Sequence, residues 1–270
     1  MTTPRESGIR AYYGSELRRL RVSAGMTQDA LGERTAYSAA YVSHVETAKR
    51  IPSLKFSEKC DEMFGTDTLV RLWSLISKES YPVWFRPWLD MEQEAHTLRS
   101  FQSVTVPGLL QTPEYARALL VWAGDDWHGD KVEELVAQRI NRQELLRRER
   151  VPRLLVVLDE LALLRPIGGA GVMREQLEHL VSMVENHPRV SVQVVPIDVG
   201  AHPGLEGPMV IASFRNSPDI VYLESPMRGE IITDADEVLS LTGRFDAIRL
   251  LALPQRASLE RIRKAIERWT

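Results

Sequence analysis

Cysteine is almost absent from this 270-residue chain. Cys60 stands alone, so no intramolecular disulfide closes the chain, and a cysteine-rich metal site is excluded. Its surroundings, "SEKCDEMF", read as helical, and Cys60 as a small buried residue rather than a reactive thiol. Long apolar runs are missing too. The opening "MTTPRESGIR" lacks the apolar h-region of a secretory signal, and "LLVVL" at 154–158 is far too short for a membrane span. The expectation is a soluble, cytoplasmic protein with no membrane attachment.

Signatures of catalysis are equally scarce. The chain has no G-x-x-x-x-G-K-[ST], no G-x-G-x-x-G after a strand and no G-x-S-x-G. His96, His128, His179, His187 and His202 stand at no ligand spacing, and Asp159, Glu160, Glu178 and Glu224 are scattered acids. "GGAG" at 168–171 reads as a flexible turn before a helix, and "TDADEV" at 233–238 as an N-cap with an acidic first turn. No enzyme, metal or cofactor is expected. No internal repeat or low-complexity tract interrupts the chain.

What the chain does have is a 44% apolar composition, enough for a real core, and an uneven charge. Its net charge is −3, yet residues 1–55 carry nine basic and five acidic residues, a net +4, which leaves −7 for the remainder. A basic end on an acidic chain suits an anionic partner for that end alone.

The basic end reads as a series of short helices. The first spans about Tyr12 to Ala24, with Leu17 and Leu20 inward, Arg18, Arg19 and Arg21 on other faces, and Gly25 as its stop. Thr27 caps a second helix with Ala30 and Leu31 inward. Ser38 caps a third with Val42 and Val45 inward, and Ser53 a fourth through about Met63. Two helices of about eight residues joined by a short turn make a helix-turn-helix. A fifth helix, "TDTLVRLWSLISKES", carries a stripe of Leu69, Leu72, Trp73 and Ile76 and leads into the next region.

The stretches "LRRLRVSAGMTQDALGERT" and "YSAAYVSHVETAKRIPS" resemble the lambda-repressor-like (XRE) family over roughly residues 10–65. Two positions depart from the family pattern: Ala36 and Ala48 stand where it often has glycine. The resemblance implies an all-α DNA-binding domain whose third helix enters the major groove of double-stranded operator DNA. Gln28, Ser38, Lys49 and Arg50 would then position phosphates. Ala39, Ala40, Ser43 and His44, with Tyr41 and Thr47 at the margin, would face base edges. Small outer residues allow a deep approach, and an alanine methyl suits a thymine methyl.

Beyond residue 81 the pattern mixes helices with β-branched runs. Helices are expected at 88–98, 113–123, 130–149, 172–186, 234–249 and 256–268, and strands at 153–158, 190–195, 208–214 and 219–223. That makes a multidomain chain: residues 1–66 as the helix-turn-helix domain, 67–81 as a linker helix, and 82–270 as an α/β or α+β domain with a sheet of about four strands. "TVPGLLQTPEYARALL", "QRINRQELL", "LDELALLRPIGG", "MREQLEHL", "VQVVP" and "VYLES" resemble the C-terminal domain of actinobacterial XRE regulators, the WhiJ-like group among them. That group is antitoxin-like, its members often encoded beside a small partner protein.

The residues themselves leave the role of this domain open between dimerisation, partner binding and effector sensing. Residues 105–120 read first as structure, with a ligand or partner surface as the alternative. The six arginines of 139–153 read as a solvated face or as a partner or phosphate surface. The last helix, with Leu259, Ile262, Ile266 and Trp269, packs on its own domain or offers a dimer groove. The function expected is a sequence-specific transcriptional regulator acting as a homodimer. The alternative is an antitoxin-like protein that mainly sequesters a small partner.

Overall fold

Three side-chain caps divide the N-terminal helices. In the computed structural model, which describes residues 4–79, 81–122, 129–225 and 228–269, the first helices are α1 (Pro4–Ser23), α2 (Gln28–Thr35), α3 (Ala39–Glu46), α4 (Leu54–Phe64) and α5 (Thr68–Glu79). Thr27, Ser38 and Ser53 each hold extended backbone and accept, at 3.1 Å, the amide N–H three residues on, which satisfies one otherwise unpaired donor per helix. Gly25 and Gly65 end α1 and α4 with φ of +68° and +65°, a left-handed conformation that costs glycine little. α1 starts eight residues earlier than its apolar stripe indicates, with Pro4 at its first position, where a missing N–H costs nothing.

The chain divides into two compact units, Met1–Arg86 and Pro87–Thr270. The core of the first contains Tyr13, Leu17, Leu31, Val42, Val45, Phe56, Cys60, Leu69 and Ile76. Burial pushes the Cys60 thiol up to about 12, so it stays protonated and inert. The Asp61 carboxylate accepts the N–H groups of Leu69 at 3.1 Å and Val70 at 2.8 Å, which ties α4 to the first turn of α5.

The second unit contains α6 (Arg86–Glu94, starting at the boundary), β1 (Thr97–Gln102), α7 (Pro113–Leu120), α8 (Asp130–Arg142), β2 (Arg153–Asp159), α9 (Leu161–Leu164), α10 (Ala170–Asn186), β3 (Val190–Val195), β4 (Met209–Ser213), β5 (Ile220–Leu223), β6 (Glu230–Ile232), α11 (Ala235–Leu251) and α12 (Gln255–Glu267). Among the described residues the strands form one mixed sheet of six, in the order β3-β2-β1-β4-β5-β6. β1, β2 and β3 are parallel, and β4, β5 and β6 continue antiparallel from β1. The four expected strands are β2 to β5. The count of about four is corrected to six by β1 and β6.

β1 reads "TLRSFQ" and lies centrally, so its polar residues disguised it, and the expected helix 88–98 overran its start. Ser100 and Gln102 are nevertheless buried. β6 has only three residues. α11 packs on part of one face of the sheet, where Phe245 and Ile248 cluster with Phe101, Val157, Val195 and Ile211. The exposed edge of β3 is closed by the chain leading into α12. Leu253 N–H donates to the Val194 carbonyl at 2.8 Å, and Val194 N–H donates to Ser258 Oγ at 3.0 Å. Among the described residues no helix is long and apolar enough to cross a membrane.

Candidate nucleic-acid interface

α2, the turn and α3 are held close by residue size. A Cβ on Gly32 would lie 2.7 Å from the Tyr37 carbonyl oxygen, and one on Gly14 would lie 2.5 Å from that of Glu46. Glycine therefore lets α1 cross the end of α3, and lets the turn fold back on α2. Two alanines, Ala36 and Ala48, have positive φ of 61° and 57°. Both carry the Cβ penalty of the left-handed region.

α3 turns Val42 and Val45 into the core, at 0% and 1% exposure. Ser38, Ala40, His44, Thr47, Lys49 and Arg50 are exposed, and Gln28, Ala39 and Ser43 are partly so. These residues share one side of α3 and its flanks, a surface of mostly small side chains with His44 among them, bordered by Lys49 and Arg50. The Thr47 hydroxyl donates to the Ser43 carbonyl at 2.8 Å, so it closes its own helix as well as facing out.

Tyr41 corrects the outward reading. It is 9% exposed, stacks on Tyr37 with centroids 4.6 Å apart and meets Phe56 edge-on at 5.1 Å. Its hydroxyl accepts Ser53 N–H at 2.9 Å. Its ring carries the Arg50 guanidinium 4.9 Å from the centroid, a cation–π contact that steadies that cation. Tyr41 thus supports the surface and is not part of it.

A second correction concerns Arg21, expected away from the core. Its guanidinium is mostly buried and donates to both oxygens of Glu46, at 2.6 and 3.1 Å, and to the Met26 carbonyl at 2.6 Å. The hydrogen bond with Glu46 raises its pKa further. Gln28 donates from Nε2 to the same carboxylate at 2.7 Å. One acid at the end of α3 therefore fixes α1, the start of α2 and the Gln28 side chain together. The partners lie 25 and 18 residues apart, beyond any local pattern.

In the second unit the conspicuous motif 105–120 is bound by amides. Gln176 accepts Thr112 N–H and donates to the Leu110 carbonyl, both at 2.8 Å. Gln143 donates to the carbonyls of Gly108 and Gln111 at 3.0 and 2.7 Å, and Gln111 donates to the Val106 carbonyl at 2.6 Å. Arg139 donates to Gln111 Oε1, and Arg142 grips Glu92 with two bonds of 2.5 and 2.6 Å. Those two arginines are internal struts. Arg147, Arg148 and Arg150 remain on the surface. Trp122 departs from the expected stripe with Tyr115 and Leu119: it is 89% exposed, because α7 ends at Leu120.

Asp159 and His202, scattered in sequence, meet at 3.0 Å between Oδ2 and Nε2. His202 Nδ1 accepts Gly204 N–H at 3.2 Å, and Asp159 Oδ1 accepts Leu161 N–H at 2.8 Å. Each atom of the pair already has a partner, and the pair clamps the 202–206 turn against Phe101. His128 lies outside the described residues. Among the described residues no group of three or more His, Cys, Asp or Glu is placed to hold a metal ion.

Residues 13–73 match a family described as a helix-turn-helix domain. Residues 85–264 match one described as a domain of unknown function, DUF5753. None of the curated proteins and none of the solved structures matches the chain.

Proposed function

We propose that this chain, which belongs to the DUF5753 family and carries an N-terminal helix-turn-helix domain, is a sequence-specific transcriptional regulator. Its first unit binds operator DNA in the cytoplasm. α3 lies in the major groove, with Ala39, Ala40, Ser43 and His44 against base edges. Ser38, Gln28, Lys49 and Arg50 hold phosphates, and Thr47 sits at the edge of the contact. The observation that carries this reading is the outward side of α3: small side chains along the helix, with Lys49 and the ring-supported Arg50 at its end.

The chain acts without catalysing a reaction and without a cofactor. One short helix touches few bases, so two copies are needed, reading half-sites about 34 Å apart as a homodimer. The second unit sets when DNA is bound, through dimerisation, a partner protein or an effector. Selection of duplexes from a randomised pool by the purified chain tests this. A paired motif with one-turn spacing is the expected result, and a flat pool would refute it.

The second reading, an antitoxin-like protein that sequesters a small partner encoded nearby, draws on α11. Leu239 and Leu250, 72% and 87% exposed, lie eleven residues apart and so on one helical face. Co-purification of a neighbouring gene product with the full chain, abolished in Leu250→Glu, tests it. A partner retained by that variant would count against this face.

A further inference from the structure

The sheet face beneath α11 is only half covered. β2 and β3 run parallel, with Leu155 opposite Ser191 and Val157 opposite Gln193. Strand alternation sends these residues and Arg153 to one face. Towards the carboxyl ends of the strands, Val195 clusters with Phe245 and Ile248, and Val157 stands between that cluster and the open part of the face. Towards the amino ends a pocket of about 210 Å³ remains, lined by Arg153, Leu155, Ser191, Gln193, Arg249 and Gln255.

The chemistry of this pocket is one-sided. Arg249 Nε donates to Gln193 Oε1 at 3.0 Å, and Gln193 donates onward to the Leu253 carbonyl at 3.0 Å. The guanidinium is thereby held in place without being neutralised. Among the described residues neither Arg153 nor Arg249 has a carboxylate partner, and no acid lines the pocket. Gln255 is the first residue of α12, and Arg249 lies in the last turn of α11, so the opposed ends of the two helix dipoles offset each other and the two guanidiniums set the field. Two guanidiniums without a counter-charge stand here on a chain of net charge −3.

We propose that this pocket binds the phosphoryl group of a small phosphorylated molecule, held between Arg153 and Arg249. A doubly charged oxyanion matches two guanidiniums in charge, and their planar forks match its oxygens. Ser191 and Gln255 supply further hydrogen bonds, and Leu155 gives the organic part an apolar wall. The volume is below the ~300–1,000 Å³ of pockets for drug-sized ligands, so the molecule is small. The proposal rests on the regulatory reading only in making this molecule the effector; binding itself stands apart from DNA.

Titration calorimetry of the full chain with inorganic phosphate at about pH 8, where the dianion predominates, against chloride and acetate at matched ionic strength, tests it. One saturable phosphate site per chain is expected, with acetate at least tenfold weaker. Arg153→Ala changes an exposed side chain, and both it and Arg249→Gln are expected to weaken phosphate roughly tenfold or more. Phosphate binding no stronger than acetate or chloride, or unchanged in Arg153→Ala, would overturn the proposal. A parallel measurement of DNA affinity separates the two claims. Phosphate binding by a chain that ignores DNA supports the pocket and sinks the regulator. DNA binding by a chain that ignores phosphate sinks the pocket alone.

Discussion

Replacing Glu46 by alanine removes the acceptor on which three helices converge. Its carboxylate side chain is 3% exposed and receives three hydrogen bonds, two from Arg21 and one from Gln28. Arg21, with 10% of its side chain exposed, would keep only its bond to the Met26 carbonyl. Removing one partner of a buried ion pair costs about 3–5 kcal/mol, because the other charge stays desolvated. The residual access of Arg21 to water and its remaining bond argue for the lower end, ~3 kcal/mol. Glu46→Gln keeps the shape and one acceptor but loses the charge, for about 1.5–3 kcal/mol. The double replacement Arg21→Met with Glu46→Leu removes both charges and is expected to regain most of the loss. A two-unit chain need not unfold in one step, so amide hydrogen exchange of α1 to α3 in the full chain is the appropriate readout. Glu46→Ala should lower protection there by roughly a hundredfold and leave the sheet amides unchanged. A loss under about fivefold, or no recovery in the double variant, would refute the strut assigned to this residue.

Three further outcomes follow from the same geometry. Ala36→Gly and Ala48→Gly each relieve a left-handed alanine and should raise the melting temperature of the first unit, the ~1 kcal/mol steric gain exceeding the added freedom of the unfolded chain; a lowered melting point would show that the strain is absent. Gly14→Ala puts a methyl against the end of α3 and should cost about 1–3 kcal/mol by scanning calorimetry, despite the better helix propensity of alanine; a stabilised protein would contradict the close crossing. Gln176→Leu leaves Thr112 N–H and the Leu110 carbonyl buried without their partner and should cost about 2 kcal/mol or more in the second unit by urea unfolding; a neutral change would mean that the loop is held elsewhere.

The parts of this chain that could be read from sequence are those decided locally. Thr27, Ser38 and Ser53 act within their own first turns, and Val42 and Val45 follow from helical spacing, so the helix-turn-helix was legible almost residue by residue. Tyr41 shares its face with Val45 at i, i+4, a clue outweighed by a polar hydroxyl that finds Ser53 twelve residues on. Arg21 and Glu46 were opaque because nothing local says that two surface-type residues will meet. In the sheet, apolar runs revealed β2 to β5. β1 was hidden because a central strand here buries Ser100 and Gln102 and aims Arg99 at Asp219, 120 residues away. The glutamines that bind the loop at 106–112 act at separations of up to 66 residues and look in sequence like ordinary surface residues.

The central claim is that the outer side of α3 reads DNA while its flanking cations hold it there. The most direct measurement compares Ser43→Ala, His44→Ala, Lys49→Ala and Arg50→Ala on one randomised duplex library at several salt concentrations. Lys49→Ala and Arg50→Ala should weaken binding to every sequence and reduce the salt slope by ~0.9 for each phosphate no longer neutralised, with the preferred motif intact. Ser43→Ala and His44→Ala should alter the preferred bases and leave the salt slope unchanged. If all four variants changed affinity and preference in the same way, α3 would not be the reading helix.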